Sequence, residues 1–458
     1  MNGLNALNPL NRRLVGAIAG ALFLYVLAIR TYDVGSTFLM LGEQTRDWMV
    51  ALGSITDLPL TGAPSTAGGR GLGPVYYWLL WLGRVAIGPF MDNLPHAGGV
   101  IVALLQSIAD VFLFIALSRR VHWAFALAMC LLVASAPFDI AISQVIWNPP
   151  VSAALVKSAM AMALLLTPSS PSWQVALTAM FAWMAIQTHL SAAFVGVPLL
   201  GALTIRPFYD RSTGVRQSFN DRLKAAMAIA ATVVVLQIPF VVSVFREPAA
   251  PAGPTAAIAG LVNPAVFRPW FAFDRVSGIT GNLVMPMSDG FTFAIPVLAA
   301  SLIVAMVYRR DLVLIAMTAG SFVMATLLFT TSTRNYDGYW FITLTTALTM
   351  TFGMAIAAIP SKAAVKWIGV ALLLAVVWRQ PARIEDSKRF FKYPQYETML
   401  RASRDLVMRA PVVRDITVTF DVHPTMDPTF IYTILGGRID PSALYTAVVS
   451  ADGTVKLE

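Results

Sequence analysis

Cysteine is almost missing from this chain: 458 residues contain one, Cys130, and it lies inside an apolar stretch. A single thiol excludes an intramolecular disulfide and any cysteine-rich metal centre. Charge is scarce as well. Asp, Glu, Lys and Arg together make up 12% of the residues, roughly half of the ~25% that a soluble domain carries, which excludes an ordinary soluble enzyme. No repeat of fixed short period runs through the sequence, so a solenoid is not supported.

What the chain has instead is apolar residue, 57% of the total, with a mean hydropathy of +0.68. These residues fall in blocks of about 16 to 20, the length that crosses a bilayer as a helix. The 33 Lys and Arg outnumber the 24 Asp and Glu, for a net charge of +9. In a soluble protein that excess would point to nucleic acid. In a membrane protein it reflects cytoplasmic loops, so no nucleic-acid partner is expected.

Uninterrupted apolar stretches predict spans near 14–29, 99–117, 121–137, 151–167, 173–187, 190–205, 225–245, 291–308, 312–330, 340–359 and 364–378, eleven in all. Arg12 and Arg13 precede the first, as they would a secretory signal. No small-x-small cleavage site follows, because Leu27-Ala28-Ile29-Arg30 leads into Thr31-Tyr32-Asp33, and the segment reads as an uncleaved anchor. A twelfth stretch, Pro74 to Phe90, contains Arg84 and the interface-favouring aromatics Tyr76, Tyr77, Trp78 and Trp81.

Charge decides whether that stretch crosses. If it lies on the surface, Arg12, Arg13, Arg119, Arg120, Arg206, Arg211, Arg216, Arg222, Lys224, Arg309, Arg310, Lys362 and Lys366 all fall on the cytoplasmic side. If it crosses, every one of these after Arg13 becomes external, against the positive-inside bias. Pro74 to Phe90 is therefore read as a juxtamembrane helix on the outer surface. The expected fold is an all-α polytopic membrane protein of the inner (plasma) membrane, with about eleven transmembrane helices over residues 1–378, a cytoplasmic amino terminus and an external carboxyl terminus. External loops are expected at 30–98 and 246–290. The polar tail, 379–458, reads as a small α/β extramembrane domain, with a helix from Gln395 to Arg409, a strand in DITVTF and a hairpin near Ala451-Asp452-Gly453.

The first external loop carries the chemistry. In STFLMLGEQTRDWMVAL, Leu41, Thr45, Trp48 and Leu52 make one helical stripe, while Glu43 and Asp47, four residues apart, project from another face beside Arg46. Two carboxylates at that spacing can deprotonate a hydroxyl or share a divalent cation; they also suit the solvated face of an interfacial helix. Downstream, LPLTGAPSTAGGRGLGP places Arg70 among glycines that let backbone approach a ligand closely. That stretch would equally serve as a flexible connector with Arg70 reaching lipid headgroups. On the same side lie Gln144, Trp147, Asn148, Pro149 and Pro150, and then Gln187 and His189 in AIQTHLS. His189 suits either a ligand or a satisfied interfacial histidine.

A long first external loop with acidic residues, the G-P-x-Y-Y-x-L-L segment GPVYYWLL, IWNPP after the third span, and Q-x-H-L-S further on together resemble the polytopic bacterial glycosyltransferases of the GT-C superfamily, in particular the family 39-like, dolichyl-phosphate-mannose-transferase-like branch. The resemblance covers residues 14 to 210 by motif and the rest by topology. It implies sugar transfer on the external membrane face from a polyprenyl-phosphate donor to a lipid, glycan or protein acceptor, with inversion at the anomeric carbon and a first-loop acid as the base. Matched to the family's R-D motif, Arg46-Asp47 supplies that acid, with Glu43 just before it, and Arg70 matches the basic residue that helps hold the lipid phosphate. Tyr76, Tyr77, Trp147, Asn148 and His189 then line the substrate pocket. Where related enzymes often have an adjacent Asp-Glu pair, this chain has Glu43 and Gln44, which favours base catalysis over metal binding; if a divalent metal ion is used, Glu43 and Asp47 are its candidate ligands. Lys-Pro-Pro before the juxtamembrane helix is here Gly-Leu-Gly-Pro.

Transfer from such a donor needs a base, positive charge for the departing phosphate and an apolar groove for the lipid. Asp47 meets the first need. Arg70, Arg268, Arg275 and Arg334, all external in this topology, are candidates for the second. The competing reading is a transporter or flippase of a lipid-linked saccharide, for which Asp110 and Lys157, both within spans, would be the midplane ionisable sites unless they form an internal ion pair.

Overall fold

A computed structural model of the chain describes residues 9–32, 42–64, 71–91, 94–143, 146–167, 170–209, 218–246, 312–329, 342–357, 361–387, 394–421 and 428–458. The helices that matter for the site are α1 (Pro9–Thr31), α2 (Gly42–Ala51), α3 (Val75–Ile87), α4 (Leu94–Ser118), α5 (Trp123–Ala134), α6 (Pro137–Ser143), α7 (Asn148–Leu165), α8 (Ser172–Thr188), α9 (Ala193–Tyr209) and α10 (Phe219–Arg246). Beyond them come α11 (Leu312–Ile315), a π-helical stretch (Ala316–Gly320), α12 (Ser321–Phe329), α13 (Ile342–Ala357) and α14 (Lys362–Ser387).

The bundle is organised around α7. Its residues from Pro149 to Leu164 are all buried, because it is apolar on every side and is sandwiched between α4 and α8. At the periphery, α10 has the reverse character: mean hydropathy 2.4, yet only 11% of its apolar window is buried. Its Val234, Val235, Ile238 and Phe245 are exposed, the pattern of a lipid-facing helix. Helix α14 runs alongside α5 in the same direction. At one end Gly369 lies so close to Phe125 that a Cβ there would sit 2.8 Å from the Phe125 Cβ; at the other, Gln380 Nε2 donates to Ser135 Oγ at 2.9 Å. Between α5 and α6 the chain bends by 58°, because Pro137 has no N–H to continue the helix.

Eleven full-length spans are not what the described residues contain. Four helices, within α1, α4, α10 and α14, are long and apolar enough to cross a membrane, or five if the bent α5–α6 pair is one span. Helices do occupy the predicted spans at 151–167, 173–187, 190–205 and 340–359, but α7, α8, α9 and α13 have only 18, 17, 17 and 16 residues. Hydropathy does not separate a helix buried by its neighbours from one buried by lipid, because both demand the same side chains. The predicted span at 291–308 and nearly all of the loop 246–290 lie outside the described residues. At 312–330 the helix is interrupted by the π-helical stretch, where Gly320 packs on Pro198 of α9.

The Pro74 to Phe90 stretch forms α3, 13 residues and thus about 20 Å long, short of the ~30 Å hydrocarbon core. One face, with Tyr76, Tyr77 and Leu80, is buried. The other exposes Trp78, Leu82 and Val85.

In the tail, α15 (Pro394–Arg409) and α16 (Pro428–Ile434) accompany five short strands, β1 (Val412–Val413), β2 (Ile416–Val418), β3 (Arg438–Ile439), β4 (Ala447–Val449) and β5 (Val455–Leu457). β1 pairs with β3 in parallel, β2 with β4 in parallel and β4 with β5 antiparallel. The β4–β5 turn places Gly453 at φ +84°, a left-handed conformation that glycine adopts at little cost.

Candidate active site

Helix α2 is not strongly apolar, and one residue holds it down. Trp48 is completely buried, and it nests beside Ile146 against Gly98 in the second turn of α4: a Cβ on that glycine would come within 2.7 Å of Ile146 and 3.1 Å of the Trp48 ring. Burying Trp48 carries its neighbour Asp47 inward, leaving Asp47 only 1% exposed. The solvated-face reading therefore fails at Asp47.

Helix α3 packs across α2 at two points, from residues two turns apart on one face. The Tyr77 hydroxyl donates to Asp47 Oδ1 at 3.0 Å. Arg84 donates through Nη2 to the Gly53 carbonyl at 3.0 Å and through Nη1 to the Leu52 carbonyl, so a guanidinium caps the carboxyl end of α2, where a positive charge also suits the helix dipole. The i, i+7 spacing of Tyr77 and Arg84 in the sequence is the signal for this shared face.

Asp47 is held from one side only. Arg46 donates Nε to Oδ1 at 2.8 Å and brings Nη2 to the same oxygen at 2.8 Å. Oδ2 is buried and has no hydrogen-bond partner among the described residues. Burial lifts the Asp47 carboxyl to about 6; Arg46 and the Tyr77 hydrogen bond pull it down, and the Glu43 charge pushes it up. Burial, and then the Asp47 charge, raise the Tyr77 hydroxyl well above its ordinary range, so it stays a donor. Tyr76 is fully buried, its ring centroid 5.7 Å from that of Tyr77 and its hydroxyl without a partner among the described residues.

Glu43, half-buried, accepts from the Trp147 indole N–H at 3.1 Å. That contact joins two motifs about a hundred positions apart. Asn148 donates to the Thr188 carbonyl at 3.1 Å, tying the start of α7 to the end of α8. His189 follows, and its Nδ1 meets Ser191 Oγ at 2.6 Å while capping the short turn Leu190–Ala192. Burial lowers His189 to about 4, so it is neutral at physiological pH and serves as a local cap.

The glycine-rich segment packs against protein. Gly62 and Gly71 form a backbone bridge; a Cβ on Gly62 would lie 2.6 Å from the Gly73 carbonyl oxygen, and one on Gly73 would lie 2.4 Å from the Gln187 amide carbon. Gln237 of α10 donates to the Leu72 carbonyl at 3.1 Å, and Gln187 donates to the Leu236 carbonyl at 2.6 Å. Arg70 itself, and Arg268, Arg275 and Arg334, lie outside the described residues. Asp110 and Lys157 pair with each other at 2.9 Å, as an internal ion pair.

The described residues do not fit a divalent cation at Glu43 and Asp47. No group of three or more His, Cys, Asp or Glu side chains converges anywhere among them. The Arg46 guanidinium already holds Asp47 Oδ1, where its charge would oppose a cation.

The bundle thus places a buried acid on a short helix between its first two long helices, with an amphipathic helix packed over it. Among solved structures it is similar to ArnT from Cupriavidus metallidurans in the apo state, with a TM-score of 0.58 at 12% sequence identity over 94% of this chain and 92% of that one. ArnT bound to undecaprenyl phosphate gives 0.50 at 16% identity, over 92% and 84%. The archaeal oligosaccharyltransferase AglB from Archaeoglobus fulgidus gives 0.49 at 13% identity, over 87% and 58%. No protein-family model matches the chain, and no curated protein matches it by sequence.

Proposed function

We propose that this protein is a membrane glycosyltransferase that moves a hexosyl or pentosyl unit from a polyprenyl-phosphate donor to an acceptor hydroxyl on the external face of the inner membrane, in modification of a cell-envelope glycan or glycolipid, with Asp47 as the general base. One observation carries the reading: Asp47 is buried with Oδ1 fixed by Arg46 and Tyr77 and Oδ2 unpartnered. An immobilised carboxylate with one free oxygen and a pKa near 6 is suited to take a proton at neutral pH. Undecaprenyl phosphate bound to a protein of similar fold supports a donor of that class, and the motifs around Gly73 and Trp147 support the family 39-like branch.

In this mechanism Asp47 Oδ2 accepts the acceptor's hydroxyl proton as its oxygen bonds to the anomeric carbon. The bond from that carbon to the phosphate oxygen breaks on the opposite side, so configuration inverts and polyprenyl phosphate leaves with the electron pair. Its charge is held by one or more of Arg70, Arg268, Arg275 and Arg334. Glu43, anchored to Trp147, orients the acceptor or tunes Asp47, while Tyr76 offers an unused hydroxyl beside it. A flippase gains no support from Asp110 and Lys157, which neutralise each other.

The test is transfer by purified protein from a polyprenyl-phosphate sugar, with envelope lipids as acceptor. Asp47→Asn should fold and lose about 100-fold or more in rate, and Glu43→Gln should lose less. Wild-type turnover by folded Asp47→Asn would refute the role.

A further inference from the structure

Four ionisable side chains from four helices meet inside the bundle, away from Asp47. Arg30 ends α1, Asp110 lies in α4, Asp139 in α6 and Lys157 in α7, and none is more than 4% exposed. Each cation touches both anions. Lys157 Nζ is 2.9 Å from Asp110 Oδ1 and 3.2 Å from Asp139 Oδ2; Arg30 Nη2 is 2.8 Å from Asp139 Oδ2 and 3.6 Å from Asp110 Oδ2. The charges therefore balance. Arg30 also donates to the carbonyls of Ala134 and Asp139, at 2.9 Å each, and so satisfies the last carbonyl of α5, freed where that helix breaks before Pro137. Lys157 reaches Gln106 Oε1 at 2.7 Å, and Gln106 Nε2 donates to the Pro150 carbonyl at 2.6 Å.

Stability alone is a poor explanation of such a cluster. Desolvating ions is costly, and well-packed apolar residues of similar volume often do as well or better. A buried ionic cluster can instead fix one arrangement of the elements that supply it. Here those elements share a second meeting point. In the sequence Arg30 precedes α2 and Glu43, and Asp139 and Lys157 flank Trp147 on either side. Glu43 and Trp147 then bond to each other at 3.1 Å. Both chain segments that build the site are thus anchored in one buried cluster.

We infer that the Arg30, Asp110, Asp139 and Lys157 cluster is a positioning device that sets the Glu43 to Trp147 contact, and through it the placement of α2 and Asp47. Its four members are positioning residues, remote from the reacting atoms. The inference rests on the glycosyl-transfer reading only for its activity readout.

Hydrogen exchange on the full-length protein in detergent tests it without any substrate. Lys157→Met should speed exchange in α2 and at residues 146–148 by about tenfold or more, with α8 and α9 unchanged; Lys157→Arg, which keeps the charge but not the length, serves in the same way if Lys157→Met does not accumulate. In Asp110→Asn/Lys157→Met, neutrality and abundance should return while α2 stays fast, because the tethers are gone. Recovery of α2 protection in that double variant would reduce the cluster to charge balance and overturn the inference, as would uniform acceleration across the bundle. Trp147→Phe should produce the same α2 acceleration, and combining it with Lys157→Met should add little; full additivity would sink the route through Trp147. With a polyprenyl-phosphate sugar, Lys157→Met should lower kcat about tenfold with donor KM nearly unchanged. Absence of transfer by wild-type protein would count against the glycosyltransferase reading, and the exchange pattern would still judge the cluster.

Discussion

At the scale of single residues, Asp47 is a group whose placement costs the fold something. Its carboxyl ordinarily titrates near 3.8 and here near 6, so between those values the folded state binds more protons than the unfolded chain. Its contribution is thus most favourable below about pH 4 and is lost as pH rises through 6, a difference of roughly 3 kcal/mol at most. Asp47→Asn should therefore raise the unfolding temperature at pH 7 even as it slows transfer; a lower one would show that the ionised carboxylate is favoured by its surroundings. A base must be deprotonated, so kcat/KM should fall tenfold per pH unit below about 6. Because the Tyr77 hydrogen bond lowers the Asp47 value, Tyr77→Phe should move that acid limb upward. A limb that stays in place, or moves down, would argue that another group titrates.

Among elements, the α2–α3 pair is the unit that presents the acid. Its second fastening is Arg84 on the carbonyls of Leu52 and Gly53. Removing a charged donor from two such acceptors costs about 1.5 to 3 kcal/mol. Arg84→Met should loosen α2, measured by faster hydrogen exchange over residues 42–51, and should reduce transfer; Arg84→Lys should recover part of each, since a single ammonium cannot reproduce the fork. If Arg84→Met leaves both exchange and transfer at wild-type levels, the cap is incidental. The glycine bridge is a second such unit. Gly62→Ala would push a methyl toward the Gly73 carbonyl, and loss of the folded protein from the membrane fraction is the expected result.

At the scale of the whole molecule, the orientation and the phosphate site stand or fall together. The positive-inside census predicts Arg120 in the cytoplasm and Glu458 outside: a reporter fused after Arg120 should report cytoplasm and one after Glu458 the external side. A cytoplasmic carboxyl terminus would overturn the orientation, and with it the shared external side of Asp47 and the four arginines. Replacing in turn Arg70, Arg268, Arg275 and Arg334 by Ala should weaken donor use by about 2 to 5 kcal/mol at whichever holds the phosphate. Full activity of all four variants would remove arginine from that role.

The sequence by itself determined which segments are apolar enough to leave water and that Glu43 and Asp47 share a helical face. These are local properties, set by transfer free energy and by a period of 3.6 residues. It did not show that α7 is wholly buried by its neighbours while α10 is largely exposed, because hydropathy is blind to what surrounds a side chain. Nor could it tell a solvated Asp47 from a buried one. That was decided by Trp48 seated beside Gly98 and Ile146 and by α3 folding across α2. Asp110 and Lys157, ambiguous as isolated charges in apolar runs, acquired meaning only when Arg30 and Asp139 arrived from two other helices to balance them. Contacts between residues far apart in the chain carry no signature in local pattern, and both the acid's burial and the charge cluster behind it are made of such contacts.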